Sequence, residues 1–147
     1  MHIALRTPFC LLTCLVLFGA SAHQANAADL VVIVSARSAA PMLRTDQVAA
    51  IFLGQSAQLP DGASVAAIDQ LVGSPARDEF YARVAAKSPA LLKAYWSKML
   101  FTGRGQPPRE ADSNAAVRKL VADTPGVIGY IERSALDASV RPVLVVR

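Results

Sequence analysis

The chain has 147 residues, 53% of them hydrophobic, with 15 Lys and Arg against 11 Asp and Glu and a formal net charge of +4. So small and scattered a positive excess argues against nucleic acid as a partner and leaves a small anionic ligand or an acidic protein face open. The two cysteines and two histidines all lie near the N-terminus, in a segment with the marks of an export signal.

That segment carries Arg6 in a positive n-region, the apolar run CLLTCLVLFGA (10–20) and an A-x-A cleavage site at Ala25-Asn26-Ala27. An apolar run this short, ending at a small-residue cleavage site, does not make a permanent membrane span. The expectation is a signal peptide over 1–27 and one exported, periplasmic domain over 28–147, long enough for an ordinary hydrophobic core. Cys14 follows Thr13, where a lipidation motif wants a smaller residue. Loss of Cys10, Cys14, His2 and His23 with the signal removes any disulfide, thiol or imidazole. Ser-His-Asp and Cys-His catalysis and an ordinary zinc site are thereby excluded, an enzyme is the least favoured class, and neither cofactor nor metal is expected.

After the signal, LVVIVSA (30–36) is a β-branched run without charge and predicts a buried strand. Thr45 and Asp46 mark a helix start, Val48, Ile51 and Phe52 give that helix an apolar face, and Gly54 stops it. QLPDGA (58–63) is a loop around a Pro-Asp-Gly turn, and SVAAID (64–69) is a second strand. A helix follows with Ala76, Phe80 and Val84 on one face and Tyr81 and Ala85 alongside. Beyond Ser88-Pro89 a further helix carries Leu92, Trp96 and Leu100 on one row and Leu91, Tyr95 and Met99 on the next, a wide stripe that reads as core.

FTGRGQPPRE (101–110) breaks all periodicity and reads as a loop. Ser113 caps a fourth helix with Ala116, Val117, Leu120 and Val121 on one face, and Thr124-Pro125-Gly126 ends it in a tight turn. VIGYI (127–131) and PVLVV (142–146) are the last two strands. The order β-α-β-α-α-α-β-β indicates an α/β domain of two or three layers, with about four strands and helices packed on the sheet.

Two features carry candidate chemistry. At IDQLVGSPARDEFY (68–81) the chain passes from strand to helix through Gly73, Ser74 and Pro75. A helix N-terminus presents unpaired N–H groups and partial positive charge, the ordinary basis for holding phosphate or carboxylate. Arg77 could add a charged donor there, and Arg104, flanked by Gly103 and Gly105, another if the fold brings its loop near. The alternative is a plain helix start: Ser74 as N-cap, Pro75 first in the helix, and Asp78 and Glu79 answering the helix dipole from within. Ser88-Pro89 repeats the same pattern at another helix start, and the two acidic residues would repel an anion. The Arg104 loop likewise reads either as a ligand loop or as an ordinary surface connector.

IFLGQ (51–55), the junction around Gly73-Ser74, and TPGVIGYI (124–131) resemble, in this order, motifs of the phosphate-binding components of bacterial ABC transporters. In that family a helix ending Ile-Phe-x-Gly-Lys precedes a strand ending Arg-Ser-Asp-Gly-Ser-Gly-Thr, and Asn-Pro-Gly-Ala-Ile-Gly-Tyr follows. The resemblance covers most of residues 28–147 and implies a single periplasmic-binding-protein-like lobe, since the chain is too short for the family's two lobes. Shorter exported proteins with an FTGRG-like segment are similar. Gly73 and Ser74 match the family's Gly-Ser pair; Gln70 stands where the family has Arg, Val72 where it has Asp, Pro75 for the second Gly and Ala76 for Thr.

Two functions follow. One is a periplasmic solute-binding protein taking phosphate or another small oxyanion through Gly73, Ser74, Arg77 and Arg104, with a homodimer able to stand in for the missing lobe. The other is a single-lobe interaction or adaptor module that has lost its ligand and docks on a membrane transporter, receptor or sensor.

Overall fold

The computed structural model describes residues 29–147, so the expected signal segment and its cysteines and histidines lie outside the described residues. Five strands form one mixed sheet in the order β3-β2-β4-β1-β5. The strands are β1 (Leu30–Ser35), β2 (Ala66–Gln70), β3 (Arg109–Ala111), β4 (Val127–Glu132) and β5 (Val140–Val145). Among the described residues four α-helices, α1 (Thr45–Phe52), α2 (Pro75–Ala85), α3 (Pro89–Phe101) and α4 (Asn114–Asp123), link β1 through β4, and a short 3-10 turn (Arg133–Ala135) joins β4 to β5. β2 runs parallel to β3 and β4, whereas β1 is antiparallel to both β4 and β5.

The uncharged run of β1 has a direct cause. Leu30, Val32 and Val34 face a core shared with α1, α2 and α3, and Val31 and Ile33 face a second core built on α4. A strand covered on both faces has no polar side, so its sequence does not alternate. Of the two layer schemes the sequence allowed, the three-layer one is formed. α4 sits so close to the sheet that a Cβ on Gly129 of β4 would lie 2.6 Å from Val117 Cγ1. Only glycine permits that approach.

Three helix starts match the sequence closely. Ser74, Ser88 and Ser113 are N-caps whose side-chain oxygens accept from the N–H of Arg77, Leu91 and Ala116, and proline follows the first two. α1 does begin at Thr45, but its N-cap is Arg44, whose N–H donates to the Gln47 side chain.

Two expectations need correction. The loop over 101–110 contains the start of a fifth strand, β3, which pairs Arg109, Glu110 and Ala111 with Ile68, Asp69 and Gln70. Three residues after Pro107-Pro108 are too few to show a period, and the strand lies at the sheet edge where such brevity is tolerated. The stripe on α3 is also only half core: Leu92 and Trp96 are buried, while Leu91 and Leu100 are exposed. α3 is tied to the end of α1, with Tyr95 Oη donating to the Leu53 carbonyl at 2.7 Å and Trp96 against Gly54. One flank of the helix is covered and the other is not.

Candidate functional site

The strand-to-helix junction is built around a buried carboxylate. Asp69, near the end of β2, is 0% exposed. Its Oδ2 accepts from Tyr81 Oη at 2.8 Å and Arg77 Nε at 3.1 Å, and its Oδ1 from Tyr130 Oη and from the Gln70 N–H at 2.8 Å. A buried charge costs several kcal/mol unless paired and hydrogen-bonded, on the order of the whole stability of a small domain. Four donors meet that requirement here.

The same arrangement explains an arginine in a helix first turn, where a cation opposes the helix dipole. Arg77 is the third residue of α2, yet it is only 6% exposed. Its side chain reaches back to Asp69 and lies over the Tyr81 ring, 5.3 Å from the ring centre. Burial by itself lowers the Arg77 pKa, but the adjacent Asp69 carboxylate outweighs it and the net shift is upward. The Tyr81 and Tyr130 phenols are both pushed up from their ordinary value, by burial first and then by Asp69. They remain protonated donors. Phe80 stacks on Tyr130 with ring centres 3.7 Å apart, which fixes that ring against α2.

Gln70, which stands where the resembling family has Arg, is turned inward. Its Nε2 donates to the Tyr130 carbonyl and to Asn114 Oδ1, and Asn114 Oδ1 also accepts from the Glu132 N–H. Gln70 therefore ties β2 to β4 and to the start of α4.

Outside this cluster, a half-open cavity of about 500 Å³ lies between the start of α2, α3 and β3. Val72, Leu92, Trp96, Leu100 and Pro107 supply apolar wall, and Arg77, Asp78, Lys93 and Glu110 supply charge. Of the four site residues proposed from sequence, Gly73 and Arg77 line this cavity. Gly73 has φ +85°, the left-handed turn that lets the chain leave β2 and enter α2. Ser74 is engaged as the cap of α2. Arg104 is exposed, lies outside the cavity lining, and follows the end of α3, where its N–H donates to the Met99 carbonyl.

Beyond Nε, no hydrogen bond holds the Arg77 guanidinium among the described residues, and its Nη1 and Nη2 are not sealed from solvent. Asp69, Tyr81 and Tyr130 were not singled out as site residues by sequence reasoning. One signal was present: a lone carboxylate at the end of an apolar strand, eight residues before an arginine in a helix first turn.

Among the described residues no three His, Cys, Asp or Glu side chains gather as a metal site, and no helix is long and apolar enough to cross a membrane. No family model and no curated protein matches the sequence. Solved structures do match. A candidate phosphate ABC transporter substrate-binding protein of Clostridium perfringens, solved with bound phosphate, is 23% identical with a TM-score of 0.61 over 79% of this chain and 44% of its own. An ABC-type phosphate transport receptor of Vibrio cholerae gives 18% identity and a TM-score of 0.62, covering 79% of this chain and 45% of its own. PstS of Borrelia burgdorferi gives 15% and 0.54, with 79% and 46% covered. The shared fold is that of the periplasmic binding proteins. This chain spans less than half the length of each of these structures.

Proposed function

We propose that residues 28–147 form an exported single-lobe solute-binding protein that seats a small molecule in the cavity between α2 and α3. The ligand carries an oxyanion group, phosphate or carboxylate, held against Gly73 and Arg77. The carrying observation is Arg77: a buried guanidinium, fixed through Nε, with Nη1 and Nη2 unpartnered among the described residues, in a residue that lines the cavity. Likeness in fold to phosphate-binding proteins supports the same assignment, and a membrane transporter component is the partner it suggests. Ser74 contributes through the turn it caps, and Arg104 is a donor for a partner face.

The test is thermal melting of the purified mature chain at low salt, with a panel of millimolar phosphate, sulfate, small carboxylic acids and amino acids. A ligand that binds only the folded state must raise the midpoint. If every member of the panel leaves the curve in place, the solute-binding reading is refuted.

A second reading rests on a different observation. Leu71, Val72, Leu91, Leu100 and Phe101 are exposed, Phe101 by 94%, and Val72 and Leu100 border the same cavity. A docked protein, whether a membrane transport partner or a second copy, would cover them. Sedimentation of the wild-type chain against Phe101→Asp reads the second-copy case. A monomer in both removes the homodimer.

A further inference from the structure

We infer that the occupant of the α2–α3 cavity is an organic zwitterion with an apolar body, of about dipeptide size, rather than an inorganic oxyanion. This rests on the solute-binding reading above and narrows its ligand class. Three observations carry it.

The first is size and lining. A cavity of about 500 Å³ walled by Val72, Leu92, Trp96, Leu100 and Pro107 is many times larger than a phosphate ion and has the dimensions of sites for organic ligands, roughly 300–1,000 Å³. A bare oxyanion at Arg77 would leave that apolar wall wet. An apolar side chain of the ligand would cover it.

The second is charge. Arg77 and Lys93 line the cavity together with Asp78 and Glu110, two of each sign. Lys93, Asp78 and Glu110 form no ion pair among the described residues. The Arg77 charge is already answered by Asp69 behind it. A phosphate dianion therefore meets an environment with no net positive charge, in which two nearby carboxylates repel it. A molecule that brings one carboxylate and one ammonium leaves the balance unchanged and finds partners for both.

The third is the geometry of Arg77. Nε is fixed on Asp69, Nη1 and Nη2 have no hydrogen-bond partner among the described residues, and Arg77 is one of the residues that line the cavity. That pair suits the two oxygens of one carboxylate. The ligand ammonium then goes to Asp78 or Glu110, and its side chains to Leu92 and Trp96.

The experiment measures melting and calorimetric binding of the mature chain with Leu-Phe dipeptide, its N-acetylated and its C-amidated forms, octanoate, and inorganic phosphate. The expected result is a rise of about 5 °C or more with free Leu-Phe at a hundredfold excess over Kd, with at least tenfold weaker binding for either blocked peptide and for octanoate. Phosphate gives no shift. The variant Ala90→Trp is expected to abolish the response while keeping the unliganded melting point, because Ala90 is an exposed cavity-lining residue at the start of α3. If phosphate shifts the curve and Leu-Phe does not, the zwitterion is refuted while solute binding stands. If the blocked peptides bind as well as the free one, the charge argument fails. If no probe binds, the zwitterion is refuted, and the sulfate, small carboxylic acid and amino acid arms of the panel above decide the solute-binding reading.

Discussion

Asp69→Ala is the perturbation on which the account of the junction depends most. Removing the carboxylate strips a buried guanidinium of its counter-charge and two buried phenols of their acceptor. Breaking one side of a buried ion pair costs about 3–5 kcal/mol, and each orphaned buried donor about 1–3 kcal/mol. These terms overlap, because relaxation and water entry relieve several groups at once, so about 4–5 kcal/mol is the expected loss. A domain of this size has roughly 5–15 kcal/mol in total. The loss corresponds to a fall in Tm of about 10–25 °C.

Urea unfolding followed by far-UV circular dichroism measures it, with a lowered midpoint and an unchanged m-value. The sharper test is the cycle of Asp69→Leu, Arg77→Met and the double variant. With both charges gone, no uncompensated ion is left, and the double variant should be more stable than Asp69→Leu alone. A single-variant loss under about 1 kcal/mol, or losses that simply add, would show that Asp69 and Arg77 do not act as a pair.

Other consequences are local. Gly129→Ala should cost about 1–3 kcal/mol in chemical unfolding, because the new methyl meets Val117 and Val121 of α4. Ala86 ends α2 with φ +50°, so Ala86→Gly should raise stability by about 1 kcal/mol in the same assay. Tyr81 and Tyr130 have folded-state pKa values above their ordinary value near 10. Their contribution is complete below about pH 10 and is lost as pH rises beyond it, since the unfolded chain gives up those protons first. Unfolding free energy measured from pH 8 to pH 11 should therefore fall at the alkaline end, and less steeply in Tyr81→Phe.

How much of this was legible in the sequence depends on distance along the chain. The caps at Ser74, Ser88 and Ser113 satisfy a donor three residues away, so a local pattern identifies them. β1 and β4 are uncharged apart from the end of β4, and their neighbours on both faces leave that mark in composition. The carboxylate cluster joins Asp69 to residues 8, 12 and 61 positions away, and no local period encodes that meeting. The inward turn of Gln70 is likewise set by Asn114 and Tyr130. Helical spacing on α3 correctly aligned Leu92 with Trp96, yet it could not say where the covering surface ends. β3 was missed because a three-residue strand is defined by its partner, β2.

In the proposed site the buried pair and the open cavity share one residue, Arg77. A guanidinium on a flexible stem loses side-chain entropy when it grips a ligand, on the order of 1–2 kcal/mol. Here Asp69 and the Tyr81 ring have already fixed the Arg77 side chain before any ligand arrives, so folding bears that cost. The same carboxylate that orders the donors also cancels their charge, which weakens attraction for any anion and most of all for a doubly charged one. Order without net charge suits a ligand that is held by shape, apolar contact and one correctly placed carboxylate. It is a poor match to one whose affinity must come from charge alone. The substitution of Gln70 and Val72 at positions where the resembling family keeps Arg and Asp works in the same direction. One turns inward to join strands and the other stands exposed at the cavity edge, so neither brings a charged group to the proposed site.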